Sequence, residues 1–278
     1  MLNRASKPFV KLVERYLPDP YIFVLLLTLI TFAFAVVIQN QSPLTTIQQW
    51  GDGFWGLLTF SMQMLLVLVT GFMLACTPLV KSLLERLASL AKSPGSAIVL
   101  VTLVSLIASW INWGFGLVVG ALFAKALARK VSVDYRLLVA SAYSGFIVWH
   151  GGLAGSVPLT IATPGHFSEA QIGVVGTGET IFSGFNLLLL AIMFVIIPLV
   201  NRLMLPPESE SIIVDSSKLK DDALPSATNE RPADKLENSK VLGLLVGFAG
   251  LAYLTNYFVS GGGLNLNIVN TLFLFLAI

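Results

Sequence analysis

The chain has 278 residues, of which 55% are hydrophobic and only 12% charged. Soluble domains carry about 25% charge, so the composition excludes an ordinary cytosolic enzyme, a nucleic-acid binder and a disordered chain. The net charge of +2 argues for no acidic partner, and a single cysteine, Cys76, excludes a disulfide framework or a cysteine-based metal site. What remains is an all-α polytopic membrane protein.

Residues 1–20 contain Glu14 and Asp19 beside their basic residues, and no small-residue cleavage site follows Tyr21–Ile38. That run reads as the first membrane span, not a signal peptide. Apolar stretches follow at Phe54–Val80, Ala97–Ala124, Leu137–Thr163, Ile181–Val200 and Val241–Val259. Residues 1–200 read as a first transmembrane unit, with spans at 21–38, 54–80, 137–163 and 181–200. Residues 201–240 hold eight of the fifteen acids, with Pro206, Pro207, Pro225 and Pro232, and read as a solvated, flexible cytoplasmic linker. Residues 241–278 begin further transmembrane segments. The last run, Thr271–Ile278, is too short for a span of roughly 20 residues, so the chain reads as the front part of a longer protein.

The 17 basic residues are unevenly placed. Arg4, Lys7, Lys11 and Arg15 precede the first span; Lys81, Arg86 and Lys92 lie in gap 81–96; Lys125, Arg129, Lys130 and Arg136 lie in gap 125–136. The linker holds the rest, and gaps 39–53, 164–180 and 260–267 hold none. Basic residues favour the cytoplasmic side, which places the N-terminus and both gaps flanking Ala97–Ala124 there. That stretch must then leave the membrane where it entered. Two full crossings need about 40 residues, more than it has. It therefore reads as a re-entrant hairpin over 97–124, with two half-helices of about 13 residues reaching about 20 Å deep. Five true crossings remain, and Trp50 and Trp55 fall at the outer interface, where aromatic belts form.

Non-helical backbone at membrane depth is tolerated only inside protein or along a water-filled cavity, so breaks in the apolar runs mark candidate sites. The first is Ser109–Gly116, in which Asn112, Trp113, Gly114 and Gly116 suit a tight reversal. A half-helix starting there would offer its first amides and partial positive charge to a carboxylate. The competing reading is a Gly-rich packing surface within one long helix. The second break is His150–Pro158. Gly151, Gly152 and Gly155 weaken a helix, Ser156 is placed to cap a new one, and Thr160 and Thr163 add hydroxyls. The competing reading is an extracellular loop beginning at Gly151. His150 is a candidate proton relay, set against an ordinary packed imidazole. With no Asp or Glu deep in any apolar run, a carboxylate relay lacks support, while Na+ held by carbonyls and hydroxyls stays open. Gln63, Ser141, Ser144, Ser183 and Asn186 read as interhelical hydrogen bonds, and Cys76 as packing.

Several segments carry a family resemblance: Leu17-Pro18-Asp19-Pro20, Trp50-Gly51-Asp52-Gly53-Phe54-Trp55, Ile111–Gly120, Gly151–Leu159, Ala162-Thr163-Pro164-Gly165 and Phe182-Ser183-Gly184-Phe185-Asn186. From about residue 8 to the end, the chain resembles the bacterial short-chain fatty acid transporter family. The Asn-Trp-Gly-Phe-Gly block is the most specific part. The resemblance implies an inner-membrane permease for carboxylates such as acetoacetate or butyrate. It also implies membership of a wider anion-transporter superfamily with re-entrant hairpins and inverted repeats.

The expected function is then a secondary transporter, working by symport on one small carboxylate in the lipid bilayer. The carboxylate would sit near Asn112–Gly116, Gly155 and Ser156, with Trp110, Trp113 and Phe115 around its tail. This reading needs no cofactor, metal, nucleic acid or catalytic residue; Na+ or H+ as coupling ion, and a homo-oligomer, stay open. The alternatives are a permease for another organic anion of the same superfamily, such as citrate or gluconate, an intramembrane serine hydrolase using Ser156 and His150, and a structural membrane subunit.

Overall fold

The computed structural model describes residues 2–219 and 239–278, and the regular elements among them are all helical. Linker positions 220–238 lie outside the described residues. The chain divides into two units, residues 1–62 and 63–278.

The first unit contains α1 (Leu2–Tyr16), α2 (Pro20–Val37), α3 (Pro43–Gly53) and the start of α4 (Leu58–Ala75). Pro18 cannot continue α1. The Asp19 carboxylate then accepts the Tyr21 N–H at 2.8 Å, with Pro20 in the first turn of α2. α2 is apolar on all sides and buries none of its residues against the chain, as a helix facing lipid would. α3 was not anticipated from the apolar pattern. It starts because Ser42 Oγ accepts the Thr45 N–H and Pro43 occupies the first position.

The second unit continues α4 and adds α5 (Pro78–Ala88), α6 (Pro94–Ile111), α7 (Trp113–Lys130), α8 (Tyr135–Ser144) and a 3-10 turn at Gly145–Gly151. Then come α9 (Ser156–Ile161), α10 (Glu169–Ile172), α11 (Gly184–Leu203), α12 (Lys240–Val259) and α13 (Leu266–Ala277). Among the described residues, six helical stretches are long and apolar enough to cross a membrane: α2, α4, α6, the broken stretch Tyr135–Ile161, α11 and α12. The protein is a multi-pass membrane protein.

The expected span 54–80 ends at Ala75, because Thr77 caps a new helix with Pro78 in its first turn. Residues 94–130 form an antiparallel helical hairpin whose arms are longer than the expected half-helices over 97–124. α6 and α7 have 18 residues each, about 27 Å at 1.5 Å per residue, instead of about 13. Ser93 and Ser96 form a capping box that starts α6 among polar residues, and α7 runs on through Arg129 and Lys130. An apolar-run criterion misses both ends. The arms are antiparallel: a Cβ on Gly116 would collide with Ser109, and one on Gly120 would lie 3.0 Å from Ser105 Oγ. Phe123, Leu127, Ile98 and Leu138 fill the core between the arms, α5 and α8.

At the hairpin foot, Glu85 of α5 pairs with Arg129 at 2.7 Å and Lys130 at 3.1 Å. The first part of the expected solvated linker is docked there too. Asp134 accepts the Ile212 N–H at 2.8 Å, and Ile212 O accepts the Tyr135 N–H at 2.9 Å. Arg129 donates to Leu219 O at 2.9 Å, and the Leu219 side chain is buried.

Candidate functional site

Asn112 alone separates the two arms. Its backbone is extended (φ −156°, ψ 127°), its N–H closes α6 on Ala108 O, and its Oδ1 accepts the Phe115 N–H at 2.9 Å to cap α7. An N-cap asparagine is worth about 1 kcal/mol. The amides of Trp113 and Gly114 come before the first intrahelical bond, so they are the donors left at the positive end of α7. Asn112 is fully buried, and its Nδ2 has no hydrogen-bond partner among the described residues. The same is true of the buried Trp113 Nε1. Leaving a buried donor unpaired costs about 1–3 kcal/mol, so each of these two is suited to an acceptor.

The second break lies against this tip. α8 tightens into the 3-10 turn, Gly152–Gly155 is non-helical, and α9 restarts at Ser156. The Leu153 N–H donates to Trp110 O at 2.7 Å, satisfying one of the carbonyls that end α6. Gly152 lies flush on the Trp110 backbone. In a 3-10 turn residues three apart eclipse, which stacks Phe146 on Trp149, and Tyr143 near the end of α8 extends the ladder. Tyr143 and Phe146 stack at 6.0 Å, Phe146 and Trp149 at 5.0 Å. Trp113 meets the ladder edge-on, 6.3 Å from Phe146 and 5.6 Å from Trp149.

α4 crosses over the tip. A Cβ on Gly71 would collide with the Phe115 amide, and one on Gly114 would lie 2.7 Å from Leu68 Cα. Gly114 and Gly116 thus permit close packing against α4 and α6 respectively.

The other expected residues are placed as follows. Ser156 does not cap α9; Gly155, with extended backbone, takes the cap position and Ser156 is the first helical residue. The Ser156 hydroxyl donates to Met64 Sδ at 3.3 Å and has no bond to His150, so the nucleophile–base pair that a serine hydrolase needs is not assembled. Thr160 Oγ1 donates to Ser156 O at 2.6 Å. Thr163 Oγ1 donates to Leu159 O at 2.7 Å and accepts the Leu266 N–H, the first of α13, at 3.1 Å. His150 is exposed, with its ring 3.9 Å from that of Trp149, and lines a cavity of about 230 Å³ with Gly151, Asn186 and Met193. Trp110 and Phe115 do not join Trp113: Trp110 packs with Leu106, Val148 and Leu190, and Phe115 packs on the main core.

Sequence reasoning missed Phe146 and Trp149, whose i, i+3 spacing is a weak signal without knowledge of the 3-10 turn. It also missed α13. There Asn265 caps the helix, Asn267 Oδ1 accepts from Gln63 Nε2 at 2.5 Å, and Asn270 is buried with its Oδ1 unpartnered. The asparagine spacing 265, 267, 270 was the available clue. Gln63 and Ser144 do make interhelical bonds, Ser144 Oγ accepting from Asn201 at 2.7 Å. No three His, Cys, Asp or Glu side chains among the described residues group as a metal site.

No solved structure matches the chain at a significant level. It is 45% identical to a protein of Escherichia coli (strain K12) named "Putative short-chain fatty acid transporter", over 99% of this chain and 63% of the relative. It is 40% identical to a protein of the same name from Haemophilus influenzae (strain ATCC 51907 / DSM 11121 / KW20 / Rd), over 99% of this chain and 64% of that relative. The chain thus spans under two thirds of the length of these curated relatives. The family model described as short chain fatty acid transporter matches residues 1–278, and the chain belongs to that family.

Proposed function

We propose that the chain contributes the anion site of a secondary transporter for short-chain monocarboxylates of the acetoacetate or butyrate type. The observation that carries this is the pair of buried, unpartnered donors, Asn112 Nδ2 and Trp113 Nε1, at the positive end of an 18-residue helix. Donors without a neighbouring cation suit one carboxylate, and the Phe146–Trp149 ladder beside them suits a short apolar tail. A citrate-like anion with several charges would be less well met. α4 lies over the tip, so entry of the substrate requires its backbone to withdraw, a motion of the kind alternating access employs. We place the protein in the bacterial inner membrane with its N-terminus cytoplasmic. The support is the basic foot: Glu85 ties α5 to the far end of α7, so both basic gaps lie at one end of the hairpin. Proton symport would run through His150, which Trp149 links to the tip. Uptake that an imposed pH gradient still drives in His150→Gln removes it from that role.

The test is uptake of labelled butyrate by the transporter in proteoliposomes. Asn112→Ser keeps a good cap and removes the Nδ2 donor without burying a charge. Its uptake should fall by about 10- to 100-fold, the worth of a hydrogen bond to a charged group of about 1.5–3 kcal/mol, with insertion intact and Tm lowered less than in Asn112→Ala. Asn112→Ala should lose both uptake and stability. Undiminished uptake by Asn112→Ser would take Asn112 out of the site.

A further inference from the structure

α1 has no role in the proposed anion site, yet its residues are sorted by face. Phe9, Leu12, Val13 and Tyr16 recur at i, i+3, i+4 and i+7 and share one side of the helix. Lys7, Lys11, Glu14 and Arg15 share the opposite side, and Arg4 has the same register in the sequence. The apolar side is uncovered: Phe9 is 71% and Tyr16 67% exposed, and Leu12 and Val13 are exposed too. Three non-helical residues, two positions after Arg15, lead directly into α2, which is apolar enough to cross a membrane. An apolar face of this size is unfavourable in water. Its charged face, basic except for Glu14, complements negative headgroups.

We propose that α1 lies in the plane of the membrane surface and binds anionic phospholipid. Phe9, Leu12, Val13 and Tyr16 sink to the level of the upper acyl chains, and Lys7, Lys11 and Arg15 contact headgroup phosphates. A sorted, basic amphipathic helix binds an interface in this way, through buried apolar area plus attraction to anionic lipid. The covalent link to α2 holds it at that surface. The inference is independent of the substrate.

The test uses the full chain with Cys76→Ser, carrying either Phe9→Cys or Glu14→Cys labelled with an environment-sensitive fluorophore. Each is reconstituted in vesicles of phosphatidylcholine alone or mixed with phosphatidylglycerol. In the mixed vesicles the Phe9 label should be blue-shifted and quenched by acyl-brominated lipid severalfold more than the Glu14 label, which should answer to aqueous iodide. Adding Lys7→Glu, Lys11→Glu and Arg15→Glu, or raising the salt, should return the Phe9 label toward water. Equal iodide quenching of both labels would overturn the proposal. So would a Phe9 label shielded from both quenchers, which would mean that protein covers the face, or equal burial in the neutral vesicles, which would leave the charges without a role.

Discussion

Asn112 does two jobs with one amide group. Its Oδ1 caps α7, while its Nδ2 is left unpaired, and this division lets Ser and Ala substitutions separate capping from binding. Gly114 beside it is a spacing residue. Gly114→Ala puts a methyl 2.7 Å from Leu68 Cα and 2.9 Å from Val67 O, backbone atoms that cannot turn away. We expect a lower Tm in detergent and loss of butyrate uptake. Gly51→Ala, where nothing lies within 4 Å, should leave both unchanged. Equal thermal traces for Gly114→Ala and the parent would show that α4 does not press on the tip. The identity of these residues was legible in sequence, since Asn and Gly mark reversals, but their partners were not. Whether a glycine faces a ligand or a neighbouring helix depends on an element forty residues away. The Ser156 cap was misplaced by one position because Gly-Ser offers two candidate caps and the backbone chose the glycine.

At the scale of elements, the hairpin's reversal was legible from the basic gaps on both sides, although the shortage of residues for two crossings does not hold for two 18-residue arms. The arm lengths were not legible, since polar capping residues and terminal basic residues belong to the helices while falling outside the apolar run. The docked strap was hidden by its composition; a stretch rich in acids and proline reads as solvated, yet Ile212 and Leu219 anchor it. Its main anchor is Asp134. Burial pushes this carboxyl up, but the hydrogen bonds from Arg136, the Ile212 amide and the Leu137 amide outweigh burial and hold it below its ordinary value of 3.8. Burial acts the same way on Glu85, and there Arg129 and Lys130 prevail and hold it below 4.5. A carboxylate held low stabilises the fold above its ordinary value, and the contribution fades as pH falls through the lower, folded value. Asp134→Asn keeps the cap but removes the charge. The variant should melt lower than the parent at neutral pH, and its Tm should fall less on acidification below the ordinary carboxylate range. Parallel curves of Tm against pH would show that the strap anchor carries no such stability.

At the scale of the molecule, family membership and membrane class follow from composition and motif, and both were readable before any coordinate. The polar tip, the broken helix and the aromatic ladder are joined only by tertiary contacts across breaks in two apolar runs, so their assembly needed the structure. All of it rests on a chain that turns back at Asn112. The sidedness of the hairpin foot tests this most directly. In the Cys76→Ser background, Leu90→Cys precedes the hairpin and Ser132→Cys follows it, both at exposed positions. A membrane-impermeant maleimide should label neither from outside intact cells and both in inside-out vesicles. Labelling of the two positions from opposite sides would mean that residues 94–130 cross the membrane once, and would contradict the account.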